Sequence, residues 1–551
     1  MEDDILKRLG LLFLILLVLG GESQGMEQVI SLGANYEVLQ MTPDYDFTKK
    51  EQVYPDKGGY LTDGKAGDPL NLHDGWVGYM RAEGRHITLD LKESKPFSKV
   101  SARFLHNPSL GILMPKEVEF SASLDGENYY RLGNKKASKP LYTQGPEVEV
   151  YTIEVIPTEA RYVRVSFLVD VWTFIDEITV WGSEVVSTEL STREIIGDSF
   201  GADTAAKVDL LQTPQARSSA AGGMNHMVLI YSGDKFNWQK MDFLPYVGYL
   251  NNETFVLEDY LFDGFLFLPY GTTQDGYSFG HAGKPSNKEK WQNYLDSLFL
   301  EGQNLAALND AVSVLKKSLA DSDYKAKVEI AIPYPSSKQT NFGELDGEQL
   351  SFSLRDQEKA LKNRWKAVSW YVKEVVERFD QNNYENLELV AFYWFEENIS
   401  HSTTPYETEL VRGVSQIVHE NNLVFHWIPF VQAENFRSWN EVGFDLAMMQ
   451  PNYFFHPDAK EERLENNALL AKKYGLSVEI EVANRVFTSE DYRNRFKAYL
   501  RNALEYGFNK SLLGYYQETM LFGNAAMSND PEKREIYEWV YQFIRNEKAP
   551  E

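Results

Sequence analysis

Two short carboxylate runs carry the strongest chemical signal in the chain. One is Phe392-Tyr393-Trp394-Phe395-Glu396-Glu397-Asn398 and the other Glu479-Ile480-Glu481-Val482-Ala483-Asn484. Cleavage of a glycosidic bond needs two carboxyls around one anomeric carbon: an acid for the leaving oxygen, and a second carboxylate as nucleophile or base. Strand alternation in the first run puts Tyr393, Phe395 and Glu397 on one face and Trp394 and Glu396 on the other. One glutamate then points inward, and Glu397 is assigned as general acid/base. In the second run Glu479 and Glu481 share a face. Glu481, nearer the strand's end, is assigned as nucleophile, with Glu479 beneath it as a like-charged neighbour that tunes a pKa. An isolated glutamate is more often salt-bridged or solvated, but two inward carboxylates on one strand are costly to bury without function.

The elements that must position these runs are legible from residue 225 to 547. Apolar strand-like stretches alternate there with amphipathic helices: Met227 to Tyr231, Gly264 to Leu268, Val328 to Ile332, Leu389 to Phe395, Val424 to Phe430, Leu446 to Gln450, Ser477 to Val482 and Ser511 to Tyr516. Helical spacing appears in Leu305-Leu308-Val312-Leu315 and Trp365-Val368-Val372-Val376, and later from Leu410 to His419, Leu464 to Tyr474 and Tyr492 to Tyr506. Eight strands predict a (β/α)8 TIM barrel, whose catalytic groups project from the C-terminal strand ends. An open doubly wound sheet is the alternative, yet no Gly-x-Gly-x-x-Gly follows the first strand and no phosphate loop occurs, which disfavours nucleotide cofactors.

The other strand ends offer Tyr393, His426, Gln450, Asn452, Tyr515 and Gln517 as substrate ligands, since amides and phenols bind vicinal hydroxyls. His426 reads equally well as a packing residue. The histidines are dispersed, with neither His-x-His nor His-Glu-x-x-His spacing, and no Gly-x-Ser-x-Gly elbow exists, so no catalytic cofactor is expected. The layout resembles that of retaining glycosidase barrels, which carry the acid at strand four and the nucleophile at strand seven. It departs from them in that Glu396, rather than asparagine, precedes Glu397. Leu268-Pro269-Tyr270-Gly271, Phe392-Tyr393-Trp394-Phe395 with Glu397, Gln450-Pro451-Asn452-Tyr453-Phe454 and Val478-Glu479-Ile480-Glu481 together resemble the bacterial family catalogued as domain of unknown function 4855. That resemblance implies a secreted barrel, commonly joined to carbohydrate-binding modules, and supplies no substrate.

Residues 30 to 185 read as an all-β module of short alternating runs, among them Ile87 to Leu91, Val100 to Phe104, Val118 to Ser123, Val148 to Tyr151, Tyr162 to Phe167 and Ile175 to Trp181. The order Leu61-Thr62-Asp63-Gly64, Phe120 to Gly126, Ala160 to Val165 and Ile175 to Val180 resembles the discoidin or factor-C-type galactose-binding sandwich, a jelly roll. The resemblance implies a structural calcium on the Leu61 carbonyl, Asp63 and Glu177, and a hard cation does want such oxygens. The alternative is a turn aspartate and a surface glutamate. Trp76, Tyr79 and Trp172 are candidate sugar-stacking rings, although tryptophan is more often core. Residues 186 to 224 read as a linker.

Composition narrows the function. The 551 residues carry 55 Lys plus Arg against 81 Asp plus Glu, a net charge of −26, which excludes a general nucleic-acid binder and weighs against uronate-rich substrates. Without cysteine there is no thiolate zinc site, iron-sulfur cluster, disulfide or cysteine nucleophile. Lys7 and Arg8, the apolar run Leu9 to Leu19, and the exit Ser23-Gln24-Gly25 form a signal peptide over residues 1 to 25, too short for a stable membrane anchor. The expectation is a secreted or periplasmic glycoside hydrolase that cleaves a polysaccharide or oligosaccharide with retention. The alternatives are a non-catalytic polysaccharide-binding or cell-surface interaction protein and, third, a polysaccharide lyase.

Overall fold

A computed structural model describes residues 28–196 and 213–550, apart from 42–50, 52, 82, 140–142, 144, 234–235, 252, 401–403 and 432. The expected signal peptide and residues 197–212 of the expected linker lie outside the described residues. Among those described, no helix is long and apolar enough to cross a membrane.

The N-terminal module is an antiparallel β-sandwich. Its strands run in the spatial order Val77–Met80, Trp172–Gly182, Gly84–His106, Glu147–Leu168, Glu117–Ser123, Tyr129–Lys136 and Ile195–Ile196, with Asn35–Gln40 also pairing on Gly84–His106. Runs that alternation separates prove continuous. Ile87 to Leu91 and Val100 to Phe104 form one strand, as do Val148 to Tyr151 and Tyr162 to Phe167. Register shifts at Asp90/Lys95 and Phe97/Lys99 let the ladder bend without breaking. The sheet also continues past residue 185, because Ile195 and Ile196 pair with Tyr130 and Tyr129.

The C-terminal part is a closed parallel barrel. Its strands are His226–Ser232, Gly264–Pro269, Ala326–Ile332, Leu387–Trp394, Val424–Trp427, Leu446–Met449, Ser477–Glu481 and Leu513–Tyr516. All eight expected strands are present. The fifth stops at Trp427 rather than Phe430, just ahead of Pro429, which has no N–H for a ladder. Alternation divides the apolar residues into two cores. Met227, Leu229, Leu266, Ala331, Ala391 and Met448 fill the barrel interior. Val228, Phe265, Ile330, Phe392, Val478 and Ile480 face outward onto helices such as Asn304–Leu319 and Gln357–Asn382, whose Leu305, Leu308, Val312, Leu315, Val368 and Val372 are buried as the helical spacing predicts.

The end of the expected linker belongs to the barrel. Gln215 bridges to Ser511, and Ala221 and Met224 are buried in the interior core. This segment closes the end where the strands begin. There His426 meets it: one ring nitrogen donates to the Ala220 carbonyl at 2.8 Å, and the other lies 2.9 Å from the Glu329 carboxylate. Both side chains are fully buried. His426 is therefore a floor residue of the barrel and not a substrate ligand.

The two parts also touch. Arg437, after the fifth barrel strand, pairs with Asp170 of the sandwich at 2.5 Å and donates to the Glu83 carbonyl at 3.1 Å. Lys473 forms an ion pair with Glu83, and Tyr474 donates to the same carboxylate at 3.3 Å.

Burial pushes the His426 pKa down, but the Glu329 carboxylate outweighs it and holds the imidazole above its usual value. A raised folded value means that the pair's stabilisation is complete below about 6.5 and is lost as pH rises through the folded value. His426→Leu strands Glu329 in the interior and is expected to cost about 3–5 kcal/mol, read from urea unfolding at pH 6. A loss below about 1 kcal/mol would contradict this role for the pair.

Candidate active site

A cleft of about 610 Å³ opens at the C-terminal ends of the barrel strands. Glu397, Glu479, Glu481, Tyr393, Gln450 and Asn452 all line it, so the structure brings together the fourth-strand and seventh-strand carboxylates. Glu479 and Glu481 alternate with outward Val478 and Ile480, which places both inside as expected, and each is 2% exposed. In register beside them on the eighth strand stand Gly514 and Tyr516. Gly514 leaves room for Glu479, since a Cβ there would lie 3.8 Å from the Glu479 Cγ and 3.3 Å from the Met448 sulfur.

The carboxylates differ in their partners. Glu481 accepts the Tyr499 hydroxyl, and that hydroxyl is itself fixed by the backbone N–H groups of Tyr453 and Phe454 at 3.1 and 3.2 Å. The Asn452 N–H also donates to Glu481. Asn452 has φ 53°, a left-handed backbone that asparagine tolerates. Glu397 accepts a 3.0 Å hydrogen bond from the Gln450 amide, which also donates to the Ile428 carbonyl at 3.2 Å. Glu479 is held by neither.

Strand alternation predicted that Glu396 turns away from Glu397. The structure corrects this: both line the cleft. The fourth strand ends at Trp394, so the period of two no longer governs residues 396 and 397. The Glu396 carboxylate accepts the His281 N–H at 2.7 Å, from the loop after the second strand.

Two expected ligands stand elsewhere. Tyr515 faces outward among Phe262 and Phe522 and hydrogen-bonds His226 at 2.8 Å. Gln517 is fully buried, accepting from the Tyr246 hydroxyl at 2.8 Å and the Phe522 N–H at 3.2 Å. The inward residue of the eighth strand is Tyr516, whose parity with Gly514 was readable from the sequence. Phe395 lines the cleft on the face that alternation gave it, whereas sequence reasoning missed Tyr231, His281 and Phe455. Tyr516 meets Tyr231 and Phe455 edge-on, with ring centroids 6.2 and 5.5 Å apart, and Tyr231 meets Tyr270 at 5.4 Å. Tyr270 and Phe455 are each 40% exposed, leaving an aromatic wall open at the mouth.

In the sandwich, Asp63 comes close to Glu177, which lies on the strand Trp172–Gly182. The Gly64 N–H donates to Glu177 at 3.0 Å. Burial, with the neighbouring charges of Asp63 and Asp176, raises the Glu177 pKa to about 7. One oxygen of the buried Asp176 has no hydrogen-bond partner. These groups fit a hard cation, but among the described residues no three His, Cys, Asp or Glu side chains form a metal cluster. Backbone oxygens such as the Leu61 carbonyl would have to complete it. Trp76 and Tyr79 are core side chains, with the Trp76 indole donating to the Asp68 carbonyl at 2.9 Å. Trp172 is half-buried, edge-on to Tyr54 at 5.5 Å.

Residues 226–542 match the family described as domain of unknown function (DUF4855). The chain belongs to this family. Ahead of the DUF4855 barrel, residues 48–178 match the F5/8 type C domain. No curated protein matches the chain. Among solved structures, a Ruminococcus gnavus GH29 fucosidase in complex with fucose is 17% identical over 29% of this chain and 28% of its own, with a TM-score of 0.20. Chitosan-binding module 1 of a Paenibacillus sp. IK-5 chitosanase/glucanase is 13% identical over 28% of this chain and 99% of its own, with a TM-score of 0.19. A Clostridium perfringens module, CpGH89CBM32-5, in complex with GalNAc-β-1,3-galactose, is 16% identical over 28% of this chain and 100% of its own, also at 0.19.

All four glutamates of the DUF4855 cleft are pushed up, chiefly by burial: Glu396 and Glu481 to about 7, Glu397 above the ordinary carboxylate range, and Glu479 furthest, with the charges of Glu481 and Glu397 adding to its burial. Raised carboxylates leave stability complete below about 4.5, and it is lost as pH rises through about 7. Glu479→Gln should flatten that fall and raise stability at pH 8 by about 1 kcal/mol, measured by calorimetry from pH 5 to 8. An unchanged slope would count against the crowding.

Proposed function

We propose that the barrel is a glycoside hydrolase acting on a polysaccharide or oligosaccharide, with Glu397 as general acid/base and Glu481 as nucleophile. The observation that carries this reading is the presence of carboxylates from the fourth and seventh strands in one aromatic-walled cleft. The hydrogen-bond donors divide the roles. The Tyr499 hydroxyl and the Asn452 N–H favour the ionised form of Glu481 against the burial that raises its pKa to about 7, whereas Glu397 has a single amide donor to hold it ionised.

In the retaining sequence Glu397 gives its proton to the glycosidic oxygen as Glu481 bonds to the anomeric carbon, and Glu397 then takes a proton from the water that releases the sugar. Tyr393, Gln450 and Asn452 reach the sugar's hydroxyls. Tyr231, Tyr516 and Phe455 offer ring faces to its C–H bonds. The F5/8 type C match supports a carbohydrate-binding role for the sandwich, clamped by calcium at Leu61, Asp63 and Glu177, and residues 1 to 25 direct export.

Glu397→Gln and Glu481→Gln should each lower turnover by on the order of 10³-fold with unfolding midpoints retained, scored as reducing-end release across a glycan panel. Full activity in either variant ends the assignment. Glu396→Gln in the same assay separates the two adjacent acids, and glycan binding with no product from the wild type would instead mark a binding protein. For the sandwich, chelator should lower its melting temperature by several degrees and added calcium should restore it. An unchanged melt would remove the ion.

A further inference from the structure

We propose that the cleft is built for an amine-bearing glycan, a chain containing hexosamine with a free ammonium group, and that Glu479 receives that cation. The inference rests on the hydrolase reading of the cleft and adds the substrate class to it.

The first observation is charge without compensation. Four carboxylates line the cleft, and among the described residues its lining contains neither lysine nor arginine. Among the described residues, two basic groups outside the lining act on it. Lys338, which bears on Glu396, donates to the His281 carbonyl at 3.2 Å, and Arg463, which bears on Glu481, donates to the Pro451 carbonyl at 2.7 Å. Burial and the Lys338 charge hold the His281 pKa below its usual value, which disfavours its cationic form.

The second observation singles out one carboxylate. Glu396, Glu397 and Glu481 each accept a donor from the protein: the His281 N–H, the Gln450 amide and the Tyr499 hydroxyl. Glu479 is 2% exposed, lines the cleft, and has no hydrogen-bond partner among the described residues. A buried carboxylate without a donor is expensive unless a ligand supplies one. A bound metal ion is disfavoured as that ligand, since no three His, Cys, Asp or Glu side chains cluster suitably among the described residues. A neutral sugar would leave the like charges facing one another, and a uronate would add to them. An ammonium group supplies three donors and the missing positive charge, while the aromatic wall takes the ring face.

One consequence distinguishes this from simple hydroxyl recognition. In the empty cleft part of the carboxyl population is protonated, and an arriving cation favours the ionised forms, so binding releases protons. The test is titration calorimetry on the full chain at pH 6.5 and low salt, in buffers of different ionisation enthalpy. The probes are glucosamine and galactosamine oligosaccharides and their N-acetylated counterparts. The free-amine series should bind at least about tenfold more tightly, release protons, and lose most of that advantage in 0.5 M salt and in Glu479→Gln, which calorimetry first checks for folding. A preference retained in the variant, tighter binding of the acetylated series, or no binding of either amine series overturns the proposal. Cleavage of neutral glycans without amine preference would reject it while keeping the hydrolase. Amine-selective binding with no product would do the reverse.

Discussion

Four carboxylates gathered in one cleft, Glu479 and Glu481 buried and Glu397 exposed, repel one another, and the barrel keeps them together by strand geometry. Glu479 and Glu481 cannot leave the interior face without turning Val478 and Ile480 inward, which would empty the core beneath the helices. Glu397 and Glu396 are carried in by the turn that follows Trp394, and Gln450 and the His281 loop hold them there. Each partner found around the rim offsets some of this repulsion. Among the described residues Glu479 is the one of the four without such a donor, and burial with the charges of Glu481 and Glu397 pushes its pKa well above the ordinary carboxylate range.

A site of this kind depends on a rigid support. The strands that carry the acids begin over an apolar interior sealed by the residues before the first strand, with the His426 and Glu329 pair locked into that seal. One barrel thus contains two buried ionic groupings of opposite character. The floor pair is matched in charge and holds the chain together, whereas the upper cluster is unmatched and strains it, as expected where stability is given up for chemistry.

Much of the fold was legible because period carries it. Eight apolar runs at parallel-barrel spacing are all strands, and the inward parity of Glu479 and Glu481 followed from alternation. Parity failed where the strand stopped, which is why Glu396 was turned the wrong way. It was not applied where it would have worked, since Gly514 and Tyr516, not Tyr515, share the inward face of the eighth strand. Tyr515 and Gln517 were misplaced, and the packing alternative for His426 could not be chosen over the ligand one, for a common reason. A polar side chain in an apolar run can be satisfied by a distant partner such as Glu329, His226 or Tyr246, and no local pattern reveals that partner. The bulges that fuse the sandwich strands were equally invisible, because each bulge reads as a turn.

The contact between the two parts falls on a telling loop. Arg437, which grips Asp170 and the Glu83 carbonyl, lies just beyond Glu434 and Asn435. The Glu434 N–H donates to Asn398 at 2.7 Å, and the Asn435 amide donates to the Ile399 carbonyl at 2.8 Å, immediately after Glu397. The sandwich is thus bolted to the same ribbon that braces the segment following Glu397. Under the proposed hydrolase reading, a polymer caught by one part would meet the other at a set offset and heading, so the spacing between anchorage and scission would be a property of the architecture, like the gap between the fence and blade of a saw.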